Sequence, residues 1–162
     1  MMLEAIRERG TPVRLIRGGA KATAGELRLE AFTVTHAIRR APENNSSIVV
    51  RVETRGRSLL LTGDIEREAE AELAPRIRHV DVLKIAHHGS RSSSTPALLD
   101  AAAPRVAVIS CGLHNWFGHP HATVLNSLSA RHIRVWRIDR SGAIDVDIQP
   151  AIVCRPQFDT PR

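Results

Sequence analysis

A change of hydrophobic rhythm near Ile77 constrains the fold more than any other feature of the sequence. Beyond it, "VDVLKIAHH", "TPALLDAAAP", "RVAVISCG", "TVLNSLSARH" and "IRVWRID" alternate short apolar runs with segments of helical composition. The first helix of this series has Thr95 as its cap and Pro96 in its first turn. Upstream the chain is strand-rich. "GELRLEAFTVTH" alternates with Leu27, Leu29, Ala31 and Thr33 on one side, and ends at His36. After the polar loop "AIRRAPENNSS", the run "SIVVRVETRGRSLLLTGD" is a hairpin turned at Arg55, Gly56 and Arg57. "IEREAEAELAPRI" is a helix stopping near Pro75, with Glu66, Glu68, Glu70 and Glu72 as its wet face. Strands followed by strand–helix alternation predict an α/β layered fold with a mixed sheet.

The two ends are plainer. Leu3 to Arg9 suit a short helix and "PVRLIRGG" a strand, while "GAIDVDIQ" is the last strand and the tail after it is expected to fray. At 162 residues and 43% hydrophobic content the chain has the size of one domain, here placed at residues 1–150 with a tail over 151–162. Its net charge of +6 fits a polyanionic partner such as DNA, or an arginine-favouring nucleotide bias, since Lys21 and Lys84 are its only lysines. Cys111 and Cys154 match neither a C-x-x-C pair nor a disulfide framework, and are expected as buried free thiols. No segment reaches the length of a membrane span, and "MMLEAIRERGTPVRLIRGG" lacks the apolar core of a signal peptide.

Chemistry concentrates where strands end. Asp64 closes "SLLLTGD" after Gly63, where it either caps the next helix or presents a carboxylate at the edge where ligands gather in α/β folds. His87 and His88 close the next strand, so a parallel or mixed sheet brings them to the same edge. Imidazole and carboxylate together suit zinc or manganese. Adjacent side chains on a strand point apart, so one histidine is expected as a ligand and the other as a helper. Lys84, Ser90 and Arg91 supply charge and donors for an anionic substrate. In "GLHNWFGHPHA", His119 and His121 flank Pro120 before a helix, a place that suits phosphate or serves only to shape the loop; Asn115 and Trp116 are weaker candidates. His36 is a further candidate ligand, Asn44 and Asn45 are candidates to hold a turn, and His79, His114 and His132 are expected in solvent.

The blocks "ENNSSIVVRVETRGRSLLLTGD", "DVLKIAHHGSRSSST" and "PRVAVISCGLHNWFGHPH", in this order, resemble the metallo-β-lactamase-like domain of the ComEC family of bacterial DNA-uptake channel proteins, from about Gly10 to Ile148. The resemblance implies an αββα sandwich and a two-metal phosphodiesterase acting on DNA during uptake. It places a bridging aspartate on Asp64, a metal-shell histidine on His88, the histidine facing the scissile phosphate on His87 and a loop near the site on Gly118 to Pro120. The family sits in the bacterial cell membrane with this domain outside the cytoplasm; a free-standing product would be cytoplasmic. The superfamily's main ligand cluster, H-x-H-x-D-H, belongs to the first half of the sandwich, and nothing here fits it. The expectation is therefore the back half only, from a truncated gene, a misplaced start or a split remnant, with an apolar sheet face uncovered. Asp64, His88 and His36 are too few donors for two ions, since each ion needs four or more. Three readings follow: a metal-dependent hydrolase linked to DNA uptake, a catalytically incomplete module that binds nucleic acid, and a hydrolase of another substrate on the same scaffold.

Overall fold

The computed structural model describes residues 4, 6, 8–10, 12, 18–36, 38–148 and 151–158; the helix expected over Leu3 to Arg9 and the strand expected over "PVRLIRGG" lie largely outside them. Seven strands form one mixed sheet in sequential order: β1 (Lys21–Ala24), β2 (Leu27–Phe32), β3 (Val49–Thr54), β4 (Arg57–Leu61), β5 (Val82–Lys84), β6 (Val106–Ile109) and β7 (Arg134–Arg137). The pairs from β1 to β4 are antiparallel and those from β4 to β7 parallel. The β3–β4 hairpin turns on Arg55 and Gly56, both at positive φ, the geometry that matches strand twist in a two-residue turn.

Each parallel step crosses over through a helix: α2 (Arg67–Leu73), α3 (Pro96–Ala102) and α4 (Ala122–Ala130). Such crossovers are right-handed, so strands added in one direction put every crossover helix on the same face. The core lies there. Leu60, Leu83 and Ala107 are register neighbours on β4, β5 and β6, and Leu73, Leu98, Leu99 and Leu128 of the helices pack over them. Each fully buried leucine contributes about 2 kcal/mol by removing its side chain from water. On the other face Val50, Leu59 and Val108 are half-buried and Leu61 is 39% exposed, while Val82 and Val106 are buried. The uncovered apolar face expected from the sequence is thus open only in part.

Several expectations need correction. Lys21–Ala24 forms an edge hairpin with β2 that the sequence reading passed over, and β2 stops at Phe32 rather than His36. The loop before β3 holds a short helix, α1 (Pro42–Asn45), started by Pro42. β5 stops at Lys84, so the paired histidines lie beyond the strand. The expected frayed tail instead contributes β9 (Val153–Pro156), antiparallel to β8 (Ile144–Asp147), which follows the short helix α5 (Ile138–Ser141). The glutamate row is not a wet face either. Glu66 and Glu70 are buried: Asn44 and Asn45 hold Glu66, and the loop before α3 folds over α2 and supplies backbone N–H donors to Glu70.

Candidate functional site

Parallel pairing of β4, β5 and β6 aligns Leu61, Lys84 and Val108, so the chain leaves all three strands at one edge. Asp64, the histidine pair and the 111–119 loop emerge there. After β4, Gly63 turns at φ +58 with Ser47 so close that a Cβ would lie 2.8 Å from the serine Cβ. Ser47 Oγ accepts from the Asp64 backbone N–H at 3.2 Å, which fixes the turn.

Beyond β5 both His87 and His88 adopt left-handed backbone angles, φ +46 and +56. Two consecutive left-handed residues abolish the strand alternation, which is how neighbouring imidazoles come to share a site. The His87 N–H donates to Gly63 O at 3.1 Å, tying this turn to the Asp64 turn. Gly89, at φ +85, leaves no room for a side chain, since a Cβ would lie 2.6 Å from Pro120 Cβ.

His88 carries the clearest chemical information. Its Nδ1 lies 2.5 Å from Ser110 O, and a carbonyl only accepts, so Nδ1 bears the proton. In the neutral ring, Nε2 then presents a lone pair, and it faces Asp64 Oδ1 at 3.8 Å. Two electron-pair donors facing one another repel unless a cation or proton lies between them. A metal bound by both at about 2.1 Å would separate them by roughly 3–4 Å. Nδ1 held by a backbone carbonyl is also the usual outer support of a metal-binding histidine. The donor chemistry of this pair fits one divalent ion.

His36, the expected third donor, does not join them. It is exposed, with Nδ1 2.9 Å from Thr35 Oγ1 and 3.7 Å from Glu72 Oε2. Among the described residues no group of three or more His, Cys, Asp or Glu side chains is placed to hold an ion.

His87 turns its Nδ1 toward Glu66. Its Nδ1 is 3.3 Å from Glu66 Oε1 but off the line of a hydrogen bond, so this buried nitrogen has no hydrogen-bond partner among the described residues. Glu66 is held by Asn44 Nδ2, which donates to Oε1 at 3.0 Å, and by Asn45 Oδ1, which accepts the Glu66 N–H at 2.9 Å. "NNSS" thus braces both the Asp64 turn and the partner of His87. The ring of His119 packs edge-on to His87 with centroids 5.8 Å apart, and its own Nδ1 is buried without a hydrogen-bond partner among the described residues. Burial, then the neighbouring His87, His88 and His121, lower the His119 pKa, so its neutral form is favoured. Lys84 is half-buried; desolvation lowers its pKa, partly offset by attraction to Asp64.

Other candidates take structural roles. Ser90 is buried with its hydroxyl 2.9 Å from Ser92 Oγ. Asn115 clamps its own loop, donating to Gly112 O and His119 O and accepting the His119 N–H. His121 caps α4 through Thr123 and donates its N–H to Gly89 O at 2.8 Å. His114 and His132 are exposed as expected, whereas the exposed His79 contacts Ala103 O at 3.0 Å. Both cysteines are free, Cys111 buried and Cys154 half-buried. Glu66 and Cys111 were missed as neighbours of the site. The Glu66 signal was its place two residues after Asp64 beside the "NNSS" loop. Cys111 follows a strand that ends at the same edge, and with His88, Asn115, Phe117 and His119 it lines a cavity of about 210 Å³.

Comparison with known proteins agrees with this architecture. The chain is similar to ComE operon protein 3 of Bacillus subtilis (38% identity over 146 residues, 88% of this chain and 19% of that protein). It is also similar to recombination protein 2 of Haemophilus influenzae (35% over 121 residues, 75% of this chain and 15% of that protein) and to competence protein ComA of Neisseria gonorrhoeae (38% over 105 residues, 63% and 15%). The chain therefore spans about a fifth or less of the length of these relatives. Among solved structures, a protein from Parabacteroides distasonis described as a metal-dependent hydrolase superposes with TM-score 0.56 at 12% identity, over 84% of this chain and 61% of that one. A variant of CmlA β-hydroxylase superposes with TM-score 0.55 at 16% identity, over 83% and 34%. The model of the metallo-beta-lactamase superfamily matches residues 9–113, and with the mixed sheet and its helical face this shows that the chain belongs to that superfamily.

Proposed function

We propose that this chain carries the back half of a metal-dependent phosphodiesterase domain that acts on DNA in competence. Residues 1–150 would bear the site and 151–162 the tail. One observation carries the reading: His88 Nε2 lies 3.8 Å from Asp64 Oδ1 while Nδ1 contacts Ser110 O. Asp64 and His88 would hold the ion, zinc or manganese. A bound divalent ion supplies Lewis acidity toward a phosphate oxygen and lowers the pKa of water. The chain's own residues do the rest. His87, beside Glu66, and the half-buried Lys84 meet the charge of the phosphate; His119, favouring its neutral form, offers a ring nitrogen beside them. The printed name of the Neisseria gonorrhoeae relative, a competence protein, supports the competence setting; a membrane-associated system with this domain outside the cytoplasm is part of the proposal. No helix among the described residues is long and apolar enough to cross a membrane.

A second reading has its own observation. Only two donors face each other here, and no third completes a group among the described residues. On that reading the chain by itself binds nucleic acid through its arginines without turning it over, and binding weakens steeply with salt. The deciding experiment is Mn²⁺ and Zn²⁺ titration calorimetry of the chain and of Asp64→Asn, paired with hydrolysis of labelled DNA. The first reading expects metal binding and cleavage, both lost in the variant. Salt-sensitive binding without metal uptake or cleavage selects the second, and full cleavage by Asp64→Asn removes the first.

A further inference from the structure

We propose that the loop over residues 112–118 is a base-stacking platform that makes the neighbouring site select unpaired, single-stranded nucleic acid; this rests on the phosphodiester substrate class given above. The chain has two tryptophans, three phenylalanines and no tyrosine, and this loop holds one of each in the open. Trp116 is 100% exposed, Phe117 82% and Leu113 68%. Apolar side chains grouped in water mark a surface meant for contact.

The platform is built rather than slack. Asn115 ties both ends of the loop, to Gly112 and to His119, with bonds of 2.7–2.9 Å. His114 and Gly118 take positive φ on either side of the aromatic pair. A surface held in shape before its ligand arrives loses less entropy on binding.

The rings also lead somewhere. Phe117 stacks on His119 at 23° with centroids 5.7 Å apart, His119 meets His87 at 5.8 Å, and His87 meets His88 at 6.3 Å. This series ends at the Asp64 carboxylate, 3.8 Å from His88 Nε2. A ligand lying along it needs a flat apolar face over the loop and an anionic group over the histidines. A nucleotide has both. Inside a duplex the base faces are already taken by their neighbours, so apart from the two end pairs it is the unpaired base that stacks on a protein ring. A lipid interface would also receive tryptophan, phenylalanine and leucine from a basic chain. Lipid, however, uses only the loop and leaves the ring series unused.

The test measures binding without turnover. In EDTA, the chain is titrated against fluorescent oligothymidylate and against a blunt duplex of equal length, with tryptophan emission read in parallel. Oligothymidylate is expected to quench Trp116, and Trp116→Ala to weaken single-strand binding about fivefold or more while shifting duplex affinity less than about twofold. Trp116→Phe, which keeps a ring, restores most of the loss, and an abasic oligomer reproduces it with the unmodified chain. Absence of oligothymidylate binding, equal losses on single strand and duplex, or an effect of Trp116→Ala confined to anionic phosphatidylglycerol vesicles overturns the proposal. The hydrolase reading fails separately: single-strand selectivity in a chain that cleaves nothing with any divalent metal leaves the platform standing and removes the phosphodiesterase.

Discussion

Glu70 offers the sharpest test of the physical account. Its carboxylate, on α2, is fully buried and accepts the backbone N–H groups of Ser94 at 2.5 Å and Thr95 at 2.7 Å. Ser94 is left-handed at φ +57, and Thr95 begins α3, so one side chain sets the end of the "GSRSSST" loop. Glu70→Ala leaves one buried and one half-buried donor unpaired at about 1–3 kcal/mol each, so a loss of roughly 3 kcal/mol is expected. Glu70→Gln keeps the volume and one acceptor but turns an amide N–H toward a backbone N–H, and should cost about 2 kcal/mol. Against a total of about 5–15 kcal/mol, the alanine variant is near the limit of folding. Urea unfolding followed by far-UV circular dichroism measures both.

The same residue predicts a pH signature. Burial, the largest influence, raises the Glu70 pKa despite the hydrogen bonds from Thr95 and Ser94. The folded chain then holds this proton more tightly than the unfolded chain. Its contribution to stability is fully present below the unfolded pKa and declines as pH rises through the raised folded value. The wild-type advantage over Glu70→Gln should therefore widen as pH falls from neutrality through the folded value. A loss under about 1 kcal/mol for Glu70→Ala, or parallel pH curves for wild type and Glu70→Gln, would refute the reasoning.

Gly89→Ala should destabilise by about 2–4 kcal/mol in urea, because the added carbon meets Pro120 at 2.6 Å and φ is +85. His119 should titrate below the ordinary imidazole range in NMR, because burial and its histidine neighbours oppose the charge. Its lowered folded pKa makes acidification through that range cost stability, and His119→Gln should lose that dependence. Cys111, its thiol pushed up to about 11 by burial and by Asp139, should resist iodoacetamide at pH 8 in the folded chain and react on unfolding.

The parallel half of the fold was open to sequence reading because its elements announce themselves. "VDVLKIA" and "RVAVIS" are β-branched apolar runs, and Thr95 with Pro96 marks a helix start. The pairing that brings Asp64 to His88 follows from strand ends sharing an edge. The edge hairpin at Lys21–Ala24 was hidden because all four of its residues are exposed, so no apolar alternation marks it. β9 alternates in burial, but its Pro156 reads as a strand ender. Glu66 and Glu70 look like surface charges in composition; their partners, the "NNSS" loop for Glu66 and the loop before α3 for Glu70, are distant in sequence. The histidine pair was legible as a site but not as a turn, since its two left-handed residues belong to no local pattern.

The sheet places its adhesive and its chemistry in different parts of the chain. Leucines under three helices keep the body intact, whereas Asp64, His88 and the 111–119 loop hang from three adjacent strand ends. Of these segments, the exposed stretch around Leu113, Trp116 and Phe117 can therefore change character without disturbing the interior. A scaffold of this kind lets selection rewrite what is recognised while the folding problem stays solved.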